Sequence, residues 1–192
     1  MGKRILLAGL LGGVALFFWG FLSHVVLRLG DVGIQSLPQD HAVIESLNAA
    51  IPASGFYFFP PVNASGQMAP DQANGPHGIL IYHPSGASTM MTRQLINEFI
   101  LNVIQALVAA YLVSLATGLT KYSSRVGLVL VLGVLSSIAT NVEYWNWYGF
   151  PGNYTIAIMA DKIIGFLAVG LIVAALVKPS GAATRVAVAK AA

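Results

Sequence analysis

Four stretches of the chain are apolar almost without interruption. They cover residues 5–27 (ILLAGLLGGVALFFWGFLSHVVL), 95–118, 126–145 and 154–177. Crossing the hydrocarbon core takes about 20 apolar residues in a helix, so each predicts one membrane-spanning helix. Periodicity does not arbitrate, because a helix in lipid is apolar nearly all round. Length does. Residues 28–94 are too many for a plain connector. Within SLPQDHAVIESLNAAIP, Asp40 reads as an N-cap, Val43, Ile44, Leu47 and Ala50 as an apolar face, and Pro52 as a stop. That is a short amphipathic helix. GFYFFPP and GILIYHP are aromatic and β-branched runs bounded by Gly and Pro, which predicts two strands. VNASGQMAPDQANGPHG between them is a turn-rich excursion.

The expected architecture is therefore an all-α membrane protein. Four transmembrane helices form a bundle, with a small α+β extracytoplasmic cap between helices 1 and 2. Its divisions are helix 1 (residues 1–27), the cap (28–94), helices 2–4 (95–177) and a basic cytoplasmic tail (178–192). The cap either covers the bundle's outer mouth or dips its aromatic residues into the headgroup layer.

Composition agrees with the pattern: 56% of residues are hydrophobic and 9% charged, where a soluble domain carries about a quarter charged. MGKR before the first span is a positive n-region, but the apolar run is long and no A-x-A-like site follows. It reads as a retained helix. Lys3 and Arg4, Lys121 and Arg125, and Lys178, Arg185 and Lys190 fall on one side of the four spans, in segments without Asp or Glu. The positive-inside rule then puts both termini in the cytoplasm and residues 28–94 outside, in a bacterial inner membrane. Topology accounts for the net charge of +3, so nucleic acid is not an expected partner. The tail needs no partner beyond anionic lipid. The absence of Cys excludes disulfides, thiolate metal sites and cysteine nucleophiles.

Polar residues gather in the outer half of the predicted bundle. Asp161 and Lys162 interrupt the fourth span seven residues after Tyr154, roughly 10 Å along the axis. Neighbouring helix positions diverge, so the two do not partner each other. The second span carries Glu98, Asn102 and Gln105 on one face, the third Ser137, Asn141 and Glu143, and the first Ser23 and His24. The inner halves, ALVAAYLV and LAVGLIVAALV, are hydrocarbon apart from one Tyr. Charges at this depth cost roughly 2.5–3.5 kcal/mol on insertion scales and persist when they find partners. The expectation is a polar cluster of His24, Glu98, Asn102, Asn141, Glu143, Asp161 and Lys162, with Lys162 snorkelling toward Glu98 or Glu143. It acts as an ionic lock on helix register, a proton or ion path, a small-ligand, headgroup or quinone site, or a metal site. The metal reading is poor: no paired-histidine spacing supports it, and Lys162 opposes a cation. No cofactor is expected.

Trp145, Trp147 and Tyr148 form the centre of an aromatic rim in EYWNWYGFPGNY, read as the second outer connection. It is an interfacial anchor or a stacking surface beside the cap. Gly9 and Gly13 make a GxxxG pair, for internal packing or a homodimer seam. His41, His77 and His83 read as surface residues, with a His77/His83 metal pair the minor alternative. Asn63-Ala64-Ser65 and Asn153-Tyr154-Thr155 match a glycosylation pattern that carries no weight here. GxSxG, P-loop, HExxH and GxGxxG motifs are absent, and no catalytic residue is nominated.

FWGFLSH in the first span, GFYFFP in the loop and YWNWYGFP after the third span resemble small bacterial four-helix membrane proteins to which no activity is assigned. The resemblance implies localisation and architecture only. The leading functional expectation is an inner-membrane binding or accessory subunit. Its partners are the bilayer and a larger membrane-protein complex or further copies of itself. The alternatives are a small ion- or proton-coupled transporter and a lipid- or quinone-binding membrane enzyme.

Overall fold

The computed structural model describes residues 2–70, 72, 74–84, 86 and 91–179. Residues 180–192, with Arg185 and Lys190 of the expected basic tail, lie outside the described residues, as do positions 71 and 73 of the turn-rich excursion. Helix α1 (Gly2–Phe21) runs into a π-helical turn, Leu22–Val26. After it come α2 (Asp40–Ala50), β1 (Gly55–Phe59), β2 (Gly78–Tyr82) and α3 (Thr92–Leu115). Helix α4 (Tyr122–Ser137) continues through a second π turn, Ile138–Val142, into α5 (Glu143–Tyr148), and α6 spans Gly152–Leu176. Four helical stretches are long and apolar enough to cross a membrane: Gly2–Val26, Thr92–Leu115, Tyr122–Tyr148 and Gly152–Leu176.

Three of these spans start and stop within a few residues of the sequence expectation. The third differs. Its expected end at residue 145 is overrun: Asn146, Trp147 and Tyr148, expected in the connection alone, are helical, leaving only Gly149, Phe150 and Pro151 between α5 and α6. Nothing in that run breaks a helix until Gly149, which sits in the left-handed region at φ 69° and ends it.

α1 and α6 form the central pair. α3 lies along the outer side of α1 and α4 along the outer side of α6, while α3 and α4 barely touch despite the short loop joining them. Neighbours are antiparallel, and each contact closes where a glycine faces a larger residue. Gly9 and Gly13 of α1 meet Leu107 and Val103 of α3; Gly165 of α6 meets Leu16 and Trp19; Gly133 of α4 meets Phe166, and Gly170 meets Val129. Lipid supplies no hydrophobic drive for helix association, so close backbone approach must supply the contact energy. The GxxxG pair is thus an internal α1–α3 contact. Phe17 and Phe99 continue the same seam, edge to face at 5.6 Å. The core is made of small residues, including Ala106, Ala109, Ala110, Val113, Val129, Val169 and Val173, all essentially without exposure.

Residues between α1 and α3 form the expected helix and hairpin. β1 and β2 are antiparallel, from Gly55 opposite Tyr82 to Phe59 opposite Gly78. α2 buries no residue fully, and its tie to the hairpin is the Tyr82 hydroxyl, which donates to the Asn48 side chain. One local expectation fails. Asp40 is the first helical residue, not the N-cap: Gln39 precedes it in the left-handed region, and Asp40 Oδ1 accepts only the adjacent His41 N–H, at 2.8 Å. A true N-cap accepts from two or three residues further on.

Candidate functional site

The antiparallel registers decide which polar residues can meet. Along α4 and α6 the pairs Arg125/Ala174, Val129/Gly170 and Gly133/Phe166 recur every four residues. The same step places Ser137 opposite Lys162. Along α1 and α6, Leu16 and Trp19 pack on Gly165, and the Trp19 indole Nε1 donates to the main-chain oxygen of Asp161 at 2.9 Å. Asp161 and Lys162 thus face different neighbours, as their adjacent positions require.

The expected ionic contacts between spans do not form. Among the described residues the one ion pair is Arg28 Nε with Asp31 Oδ2, at 2.7 Å on the exposed rim beyond α1, where such pairs contribute little. Glu98, Glu143 and His24 are exposed. Lys162 is half-buried with no hydrogen-bond or ion-pair partner among the described residues. Asp161 keeps Oδ1 buried with no donor among the described residues, and the Ser137 hydroxyl is buried in the same condition. The helix order is the reason. α3 packs chiefly on α1 and only lightly on α6, and Glu98 and Glu143 both stand on exposed positions, so neither carboxylate is brought to Lys162.

What does form is a set of local bonds within single helices. Ser23 Oγ donates to Gly20 O at 3.2 Å and lies 2.9 Å from His24 Nδ1. The His24 ring packs on Gly30, where a Cβ would come within 2.6 Å of its Cδ2. Buried Asn102 accepts from Gln105 Nε2 at 3.4 Å, and buried Asn141 donates to Ser137 O at 3.1 Å. Ser23 and Asn141 both sit in the π turns. π turns recur at functional sites, and here both fall at the cap-side end of the helices.

At the opposite end Arg125, which in sequence marks only the basic side of the spans, has a second role. It is 6% exposed. Its Nε and Nη2 donate to Ala174 O at 3.2 and 3.0 Å, and Nη1 to Thr120 O at 2.6 Å and Leu119 O at 3.3 Å. One guanidinium therefore satisfies carbonyls at the end of α6 and in the loop before α4, groups that a helix leaves without internal partners. The available sequence signal was its place in the first turn of an apolar span with no acid nearby.

The second candidate is a groove of about 850 Å³ between the β-hairpin and the α5–α6 connection. Phe58, Phe59, Trp147, Tyr148 and Phe150 wall it, with His77 and Asn146 among its polar lining groups. Rings continue around it: Tyr148 stacks edge-on to Phe56 at 6.1 Å and to Tyr144 at 5.5 Å, and lies 6.2 Å from Phe58. Trp147 is 76% exposed. The aromatic rim thus joins the cap instead of standing apart from it, because α5 extends the third span far enough to meet the hairpin. Among the described residues no group of three or more His, Asp or Glu is placed to hold a metal. No known protein family, curated protein or solved structure matches the chain.

Proposed function

We propose that this is a multi-pass inner-membrane protein with both termini cytoplasmic and the helix-plus-hairpin cap outside. In this reading it is a non-catalytic binding or accessory subunit that takes its ligand in the groove between hairpin and α5. The carrying observation is the groove itself: its volume falls in the ordinary range for small-molecule sites. Its walls are aromatic, and it offers isolated polar partners in His77 and Asn146. Such a lining fits an amphiphile, with a ring or acyl segment against Trp147 and Tyr148 and a polar end at His77. Its position just beyond the helix ends is where Trp and Tyr favour the membrane boundary.

The apolar Ala and Val core toward the termini, closed by Arg125, supports binding over transport. A carrier needs polar groups continuing through that half. The test is purification in mild detergent and mass spectrometry of bound lipids, quinones and proteins, for the parent chain and for Trp147→Ala. A species retained by the parent and lost from the variant is the expected result. Identical bound inventories would overturn the groove reading.

A further inference from the structure

α3 carries a second pattern that packing within the chain leaves mostly uncovered, with Leu112 alone half-buried. Glu98, Leu101, Gln105, Val108, Leu112 and Leu115 follow one another at alternating steps of three and four, the spacing of a coiled-coil seam. Leu101, Val108 and Leu115 are 52%, 53% and 54% exposed. Glu98 and Gln105 are exposed as well. α1 covers a different side of α3, at Val103 and Leu107, and α4 hardly reaches it.

Gln105 makes this seam unlike an ordinary lipid-facing surface. It lies thirteen residues after Thr92, roughly 20 Å along the helix and so near the middle of a bilayer. One amide N–H reaches Asn102 Oδ1. The other N–H and the carbonyl oxygen have no partner among the described residues. Acyl chains offer none, and an unmet polar group in hydrocarbon is costly. An amide is both donor and acceptor, so it complements its own copy across a two-fold axis.

We infer that α3 pairs in parallel with α3 of a second copy of this chain along the seam Glu98–Leu101–Gln105–Val108–Leu112, with the two Gln105 amides bonded to each other at its centre. A single polar residue at such a position fixes register and partner number. Glu98 lies nearer the cap, within reach of the headgroup layer, and turns its carboxylate to water.

The absence of cysteine makes the test clean. Leu101→Cys, Val108→Cys and Ile100→Cys are each oxidised with copper phenanthroline in native membranes. Ile100 is equally exposed at 50% but lies off the seam. Disulfide-linked dimers of Leu101→Cys and Val108→Cys, without dimers of Ile100→Cys, are expected. In liposomes, Gln105→Leu is expected to raise the dimer dissociation constant about tenfold and Gln105→Asn to restore part of the loss. No dimer from either seam position, equal crosslinking of Ile100→Cys, or a Leu101→Cys adduct with a different protein alone would overturn the proposal. The proposal rests on α3 lying in lipid. Labelling of Leu101→Cys by a water-soluble maleimide as fast as Ser123→Cys in opened membranes would overturn it through that premise.

Discussion

The indole of Trp19 donates to the main-chain oxygen of Asp161, while the carboxylate of the same residue keeps a buried oxygen that no group among the described residues meets. The tryptophan holds the α1–α6 contact at Asp161 without serving its charge. Trp19→Phe keeps most of the ring and removes the donor, and is expected to lower stability by about 1 kcal/mol. Asp161→Asn removes a carboxylate that has no partner, and is expected to leave thermal stability in detergent unchanged or raised. A drop of several degrees in the Asn variant would mean that the carboxylate is held after all.

Arg125 gathers three carbonyls from two segments into one contact, Leu119 and Thr120 of the loop before α4 and Ala174 of α6. Arg125→Ala leaves those oxygens buried and is expected to cost about 3 kcal/mol. Arg125→Lys is expected to recover less than half, because an ammonium on a flexible stem cannot fork across the same acceptors. Denaturation of both variants in mixed micelles, followed by loss of helical signal, measures this. Full rescue by Lys would contradict the forked geometry.

The glycines of α1 differ sharply in what surrounds them. A Cβ on Gly13 would stand 2.6 Å from Val103 Cα, whereas one on Gly20 meets nothing within 4 Å. Gly13→Ala is expected to destabilise by about 2 kcal/mol through backbone overpacking. Gly20→Ala is expected to be neutral or stabilising by up to about 1 kcal/mol, from helix propensity alone. Equal effects in a thermal-shift measurement would argue against the α1–α3 seam as described.

For the groove, Phe58→Ala and Tyr148→Ala should act together, since their rings lie 6.2 Å apart. Each is expected to weaken binding of a bound amphiphile about tenfold, with the double variant losing less than the product. Titration by Trp147 fluorescence, with stability checked in parallel, gives the two affinities. Strict additivity would place the rings in separate environments.

Much of this protein was readable in the order of its residues. Long apolar runs fixed the number and the approximate limits of the four helices, because length alone separates a span from a shorter buried helix. The alternation and Gly/Pro punctuation of GFYFF and GILIY fixed the hairpin for a similarly local reason. Which helices become neighbours was not local. Glu98, Asn102, Asp161, Lys162 and Asn141 share a depth in the sequence, but depth along a helix says nothing of direction around the bundle. The packing order, set by where Gly9, Gly13, Gly133, Gly165 and Gly170 allow backbones to close, left Glu98 exposed on α3 and formed no ion pair between spans among the described residues. The same order buried Arg125 over helix-end carbonyls and carried Tyr148 to the hairpin. Hydropathy is a sum along one chain segment, whereas a site is a coincidence of several, and only the packed helices decide it.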